Sequence, residues 1–295
     1  VYAGSIPTQA SIFSPDAMNP SLALIVSTYN QPDYLDRCLF ALSRQSDSDF
    51  EILIADDGSR EETRIVIDSY RDIFRNRLKH EWQADKGFRK TRILNRCILA
   101  TDADYLVFTD GDCIAHPDFI AEHRRAATPG AYRNGAIIRL SDGLSREITK
   151  PRIEDETVFD SRWLSKTDGH WNRRYLKLSL PLKLRQWLNG HPTAKLYWLG
   201  SNSACWRSDA LDVNGFDNRF SYGFEDGDFG NRLANRGIEA LTVRWTANLL
   251  HLDHGRPYRN EDEYQRNLAM QTPREEGGVY RAVDGLDELR SSLSD

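Results

Sequence analysis

From Ser21 onward the chain alternates between two patterns of apolar and polar positions. Ser21 to Asn30 (SLALIVSTYN) is a continuous apolar run closed by polar residues, as expected of a strand covered on both faces in a parallel sheet. Tyr34, Leu35, Cys38, Leu39 and Leu42 then recur at helical spacing. A second buried run, Glu51 to Ala55, closes with Asp56-Asp57-Gly58-Ser59. Further along, Ile65 to Phe74 reads as a helix, Leu78 to Trp82 as a short strand, Thr91 to Ala100 as a helix and Tyr105 to Thr109 as a third buried strand. This alternation predicts an α/β fold: an open, mostly parallel sheet with right-handed crossovers and helices on its faces.

In such sheets ligands bind beyond the carboxyl ends of the strands. Those ends here are Thr28-Tyr29-Asn30, Asp56-Asp57-Gly58-Ser59 and Asp110-Gly111-Asp112. One such ending is an ordinary turn; three on one rim point to a site. Asp110 and Asp112 stand two apart across a glycine that permits a tight backbone, a spacing that can aim hard oxygen ligands at one Mg²⁺ or Mn²⁺ bridging a diphosphate. No GxxxxGK[ST] occurs, and no GxGxxG opens the first helix, which disfavours P-loop and dinucleotide-binding readings.

A later stretch, Leu199-Gly200-Ser201-Asn202-Ser203-Ala204-Cys205-Trp206, precedes Gly215-Phe216-Asp217 and then Tyr222-Gly223-Phe224-Glu225-Asp226-Gly227-Asp228. Glu225 and Asp226 begin a helix with Phe229 and Leu233 in its body and Gly237 as its stop. A helix N-terminus stabilises carboxylates. A carboxylate held at a cleft also suits a general base acting on a hydroxyl.

Taken in order, Thr28-Tyr29-Asn30, DDGS, KGFR, DGD, GFD and FEDGD resemble the family-2 nucleotide-sugar glycosyltransferases of the GT-A fold, and the later segment resembles a galactosyltransferase-type carboxyl module. The likeness runs from about Ser21 to His254 and leaves the stretch from Ser141 to Lys195 unmatched. It implies a Rossmann-like sheet with a helical insertion and a helical tail. The domain reading is a loose arm over 1–20, a catalytic domain over 21–256 and an extension over 257–295. Within the catalytic domain, 21–140 would hold the nucleotide sugar, 141–195 would be the insertion and 196–256 the acceptor half. The resemblance assigns Thr28, Tyr29, Asn30 and Asp56 to the nucleoside, with Asp56 accepting from a uracil, and Asp57 to the ribose or its loop. Lys86, Gly87 and Arg89 fall where the family contacts nucleotide or donor sugar. Asp110 and Gly111 fall on the donor, Asp112 and Asp110 on the metal. His251 would complete the metal shell, with His254 as its competitor, and imidazole favours Mn²⁺ over Mg²⁺. Asp226 corresponds to the catalytic base and Glu225 to an acceptor-positioning carboxylate; Tyr222, Phe224, Gly200 and Asn202 fall on the acceptor side. The implied reaction is inverting transfer of a sugar, UDP-linked, to a saccharide or lipid-linked saccharide hydroxyl in bacterial surface polysaccharide or glycolipid synthesis. Two other readings compete: an inactive nucleotide-sugar or glycan-binding module, and a sugar-phosphate nucleotidylyltransferase. The latter needs a Gly-rich basic loop after the first strand, where this chain has TYNQPDYLD.

Charge and cysteines narrow the picture. The net charge of −5 over 295 residues leaves no overall basic field for nucleic acid. Cys38, Cys97, Cys113 and Cys205 form no CxxC pair, so reduced thiols are expected. No apolar run reaches the roughly 18 residues of a membrane span, and the first twenty residues lack the pattern of a signal peptide; the expectation is a cytoplasmic protein. Residues 171–188 (WNRRYLKLSLPLKLRQWL) mix Arg173, Arg174, Lys177, Lys183 and Arg185 with aromatic and aliphatic residues. Contact with the inner face of the membrane, a lid or acceptor-binding insertion, and plain packing are all open to it, although Pro181 interrupts any single amphipathic helix. Trp198, Trp206 and Trp245 are candidates for a sugar platform, with core packing the commoner use. No candidate chemistry is read beyond Pro257, where a terminal helix is expected around Asp284 to Leu293.

Overall fold

The computed structural model describes residues 19–255 and 260–294; most of the expected N-terminal arm lies outside them. Seven strands form one sheet in the order β3-β2-β1-β4-β8-β6-β9. In chain order they are β1 (Leu22–Thr28), β2 (Glu51–Asp56), β3 (Leu78–Trp82), β4 (Tyr105–Asp110), β6 (Ala131–Asn134), β8 (Asn202–Trp206) and β9 (Glu239–Thr242). A smaller sheet, ordered β5-β10-β7, is built from β5 (Cys113–Ala115), β7 (Ala136–Arg139) and β10 (Asn248–His251). β1 pairs in parallel with β2 and β4, and β2 with β3, while β8 runs antiparallel to β4 and β6.

The continuous apolar runs follow from burial on both faces. Leu22, Leu24 and Val26 of β1, with Ile52, Ile54 and Val107, pack beneath the helix Pro32–Leu42. The alternate residues Ala23, Ile25, Leu53, Ala55, Leu106 and Phe108 meet the helix Lys90–Leu99 and Phe229 and Leu233 of the helix Glu225–Asn235 on the other side. Strand alternation thus divides one run between two cores, each fully buried aliphatic side chain contributing about 1.5–3 kcal/mol. The smaller sheet carries a third core, where Ile114, Ile138 and Leu250 meet Leu144, Ile148, Ile153 and Leu164 of the helical insertion.

The helix expected over Ile65 to Phe74 is displaced. It spans Glu61–Ser69, because Glu61 and Glu62 favour a helix start. The chain then turns through Tyr70 to Asn76, with Arg75 and Asn76 at positive φ. Ile65 and Ile73, part of the apparent periodicity, are solvent-exposed. The terminal helix spans Leu286–Ser294, and Leu286 enters the second core, so the extension packs on the main body. Trp198 is also core, edge-on to Phe108 and Phe229, and Trp206 packs on Tyr105. All four cysteines are free and buried. No helix among the described residues is long and apolar enough to cross a membrane.

Asn202, expected at the acceptor, is instead an interior strut. Its Nδ2 donates to the carbonyls of Ala136 (2.8 Å) and Ala247 (2.9 Å), and its Oδ1 lies 3.0 Å from His123 Nε2. With both amide hydrogens committed, Oδ1 must accept, so His123 is the neutral Nε2–H tautomer. Burial pushes its pKa down to about 4. The unfolded chain takes up a proton near pH 6.5 that the fold refuses, so stability is lost as pH falls from 6.5 towards 4, by about 3 kcal/mol in full. His123→Gln keeps a donor for Asn202 without a titrating group. It should flatten the decline of melting temperature over that interval, measured by calorimetry against wild type.

Candidate active site

The strand ends converge on a cleft of about 450 Å³. Its floor is the carboxyl edge of β1, β2 and β4; its far wall is Leu199, Ser201 and the stretch from Tyr222 to Asp226, with Ile137, Arg139, His251 and His254 closing one end.

At the β1–β2 end, Thr28, Tyr29, Ala55 and Asp57 line the cleft. Tyr29 donates its hydroxyl hydrogen to Asp85 (2.9 Å). Asp57 accepts from Gln83 Nε2 (2.6 Å) and from the Arg89 amide (2.7 Å); burial pushes its carboxyl above the ordinary range, against those two donors. Asp56, expected at the nucleobase, turns inward: Oδ1 accepts from the Ser59 amide (2.7 Å) and Oδ2 lies 2.9 Å from His80 Nε2. Strand alternation gives the cleft to its neighbour. Asn30 does not line the cleft either; its amide donates to Ser59 Oγ and its Oδ1 accepts from the Arg60 amide, both at 2.9 Å, joining the two strand-end loops. Gly58 holds φ +97° where a Cβ would lie 2.6 Å from the Asp85 nitrogen. In the KGFR stretch Gly87 and Phe88 face the cleft, whereas Lys86 is exposed and the Arg89 guanidinium bonds the Ala84 carbonyl.

At the centre is a residue the sequence reading missed. Lys90 places Nζ 2.7 Å from Asp110 Oδ1, which also accepts from Ser27 Oγ (2.5 Å). Burial pushes the Lys90 pKa down, but Asp110, Asp226 and Glu225 outweigh it and hold the ammonium above its usual value. For Asp110 burial is likewise outweighed, by Lys90 and the Ser27 hydroxyl, leaving its carboxyl below its usual range. The available signal was a cation in the first turn of a helix, where the helix dipole opposes positive charge.

The two aspartates of the DGD stretch part company. Gly111 lies against β1, its amide donating to the Ser27 carbonyl (2.8 Å) and its Cα so close that a Cβ would meet Thr28 Oγ1 at 3.3 Å. Asp110 therefore turns to Lys90, and Asp112 to the histidines. His254 Nε2 lies 2.7 Å and His251 Nε2 3.7 Å from Asp112 Oδ2, and the three ligand atoms lie within 4.8 Å of one another. Both histidines belong to one cluster, and Asp110 stands outside it. A buried carboxylate with two imidazoles fits a divalent transition ion such as Mn²⁺.

Across the cleft, the helix Glu225–Asn235 presents its first two carboxylates. Asp226 Oδ2 accepts from the Gly200 amide (3.0 Å), while its Oδ1 is buried without a hydrogen-bond partner in the protein. Gly200, expected on the acceptor, serves Asp226: a Cβ there would lie 2.4 Å from the carboxylate. Glu225 Oε2 accepts from the Gly223 amide (2.8 Å). Burial raises the pKa of both acids; Asp226 adds to the rise at Glu225 and Asp110 to that at Asp226, with Lys90 opposing. Tyr222 and Phe224 line the same wall, Tyr222 edge-on to Phe88 at 5.5 Å.

Residues 23–201 match the model of glycosyl transferase family 2. The chain belongs to that family. Residues 192–255 of this family-2 glycosyltransferase also match the N-terminal domain of galactosyltransferase. It is 38% identical over 233 residues to the validoxylamine A glucosyltransferase of Streptomyces hygroscopicus subsp. jinggangensis, covering 76% of this chain and 54% of that protein. It is 23% identical over 237 residues to the chondroitin synthase of Escherichia coli, covering 75% and 33%. The chain thus spans about half the length, or less, of these curated relatives. Among solved structures, the mannosyltransferase PcManGT of Pyrobaculum calidifontis, determined with GDP-Man and Mn²⁺, superposes with a TM-score of 0.54 at 17% identity, covering 83% of this chain and 61% of that one. TarS of S. aureus superposes with a TM-score of 0.52 at 15% identity, covering 79% and 37%. These likenesses show the GT-A fold, with its mostly parallel sheet flanked by helices.

Lys90 is the test of the family-2 glycosyltransferase's charge balance. Lys90→Met leaves Asp110 beside Asp226 with no counter-charge and should lower stability by about 3 kcal/mol. Adding Asp110→Asn to that variant should recover part of the loss, both read from urea unfolding at pH 7.

Proposed function

We propose that the protein is a metal-dependent, inverting hexosyl- or N-acetylhexosaminyltransferase that uses a nucleotide sugar, UDP-linked, and a saccharide or lipid-linked saccharide acceptor. The observation that carries this reading is the Asp226 carboxylate, anchored on one oxygen by Gly200, its other oxygen without a hydrogen-bond partner in the protein, in a residue that lines the same cleft as Lys90 and the Asp112–His251–His254 cluster. The cluster suits a Mn²⁺ or Mg²⁺ ion, which when bound would neutralise charge on a departing diphosphate.

Thr28, Tyr29 and Asp57 form the wall for the nucleoside, and Asp57 takes the accepting role first assigned to Asp56. Lys90 supplies a fixed positive charge beside the donor, preorganised by Asp110. Asp226 removes the proton of the incoming hydroxyl. The acceptor oxygen then bonds the anomeric carbon as the bond to the diphosphate oxygen breaks, its electron pair leaving with the nucleoside diphosphate; a single displacement inverts the centre. Tyr222, Phe224 and Phe88 offer ring faces and edges to an acceptor sugar. Support for the donor class comes from the relatives: PcManGT was solved with GDP-Man and Mn²⁺, and TarS with UDP and with UDP-GlcNAc.

A thermal-shift and nucleotide-release screen of UDP-, GDP- and dTDP-sugars, with and without Mn²⁺, tests this. One donor should stabilise the wild type only with the metal, and Asp112→Ala should abolish the shift. Asp226→Asn should reduce turnover by about 10² to 10⁴ while donor affinity persists. A base must be unprotonated, and burial raises this one; turnover should therefore fall as pH drops through a value above the ordinary carboxylate range. Near-wild-type turnover in Asp226→Asn would refute the assignment.

The insertion also supports a cytoplasmic-face membrane contact. The helices Leu176–Ser179 and Leu182–Asn189 bury none of their residues. Trp171, Leu182, Leu184 and Trp187 stand exposed beside Arg173, Arg174 and Lys183, and no acid occurs between Asp168 and Asp209. Each such cation near an anionic surface contributes about 1 kcal/mol. Replacing Arg173, Arg174 and Lys183 by serine should weaken flotation with phosphatidylserine vesicles by about 100-fold in affinity. Equal flotation of both proteins would remove the membrane from the proposal.

A further inference from the structure

Residues 260 to 285 wrap the helix that carries Glu225 and Asp226. The Thr272 amide donates to Asp228 Oδ1 (2.9 Å), Asn231 Nδ2 to the Thr272 carbonyl (2.9 Å), and Asn235 Nδ2 to the carbonyls of Pro273 (2.9 Å) and Val279 (2.7 Å). The helix Glu261–Met270 lies under the loop that leads into the carboxylate pair.

That loop has an unusual backbone. Gly223 takes φ +102° and Phe224 φ +67°. The left-handed region is disfavoured for a residue that carries a Cβ, and it persists where the surroundings over-determine it. The surroundings here are two side chains of one helix. Asn267 is fully buried, with Nδ2 3.2 Å from Ser221 Oγ, 3.2 Å from the Tyr222 carbonyl and 3.0 Å from the Gly223 carbonyl. Tyr264, three residues earlier on the same face, packs against Phe224 at 4.7 Å. The loop closes on the carboxylates in turn, through the Gly223 amide to Glu225 Oε2 and the Asp228 amide to the Phe224 carbonyl (2.8 Å).

We propose that Asn267 and Tyr264 are positioning residues that hold the stretch Tyr222–Phe224, and through it Glu225 and Asp226, in the geometry that receives an acceptor. The C-terminal extension is then a working part of the acceptor site, on the side of the cleft away from the nucleoside. The functional part of this inference rests on the reading of Asp226 as the base.

The experiment compares wild type, Asn267→Ala, Tyr264→Ala and the double variant, each checked for folding by circular dichroism. Hydrogen exchange followed by mass spectrometry needs no substrate. The amides of 221–226 should exchange at least tenfold faster in Asn267→Ala, while those of β1 and β2 stay at the wild-type rate. UDP affinity with Mn²⁺ should stay within twofold. With UDP-glucose and UDP-N-acetylglucosamine as donors and p-nitrophenyl glycosides as acceptors, kcat/KM for the acceptor should fall 10- to 100-fold, since a misplacement of about 1 Å is worth up to 10². Donor hydrolysis by water should fall less. The two substitutions act through one loop, so the double variant should lose less than the product of the single losses. Unchanged exchange over 221–226, or loss of UDP affinity equal to the loss of transfer, would overturn the proposal. A wild type that binds no nucleotide sugar would instead remove the functional reading, with the exchange data still deciding the clamp.

Discussion

The cleft depends on one buried cation. Asp110 comes from the end of β4 and Glu225 and Asp226 from the start of one helix, and Lys90, from a third stretch of chain, is the charge that makes their proximity tolerable. Two unit charges 4 Å apart interact by about 4 kcal/mol at an effective dielectric of 20, so three acids in one recess would protonate or push apart without it. The same ammonium orders the site: Asp110 is drawn to Lys90 and away from Asp112, which leaves Asp112 to the histidines, and Asp226 remains the carboxylate with an oxygen to spare.

The backbone enforces that division. Gly111 lets the β4 exit lie against β1, Gly200 lets its loop approach the Asp226 carboxylate, and Gly58 lets its turn pass the Asp85 backbone. At each a Cβ would collide with, or crowd, a group that shapes the cleft. The glycines in these stretches thus mark close approaches of chain to chain, and the chemistry belongs to the residues beside them.

The elements of the first half were legible because their runs are long and their two faces are both covered. β1, β2, β4 and the helix Pro32–Leu42 lie where periodicity places them, and the helical insertion and tail also agree with expectation. The helix after β2 shifted because Ile65 and Ile73 mimic a buried stripe while facing solvent, and the first-turn acids decided its start. The carboxylate pair and Asp112 were legible from short patterns after strands or at a helix start. Asp56 against Asp57 was not, since adjacent residues of one type differ only in where their side chains point; nor was it legible that His251 and His254 both turn to Asp112.

The sequence by itself determined the layered α/β architecture, the rim on which polar residues gather and the family to which the chain belongs, since these follow from local periodicity and ordered short patterns. Only the tertiary structure decided that Lys90 completes the charge balance, that Asn202 and Asn30 brace the frame, that both histidines join Asp112, and that the extension grips the loop before Asp226. Each of these is a meeting of residues far apart in the chain, fixed by strand order and close packing, and no spacing along the sequence encodes it.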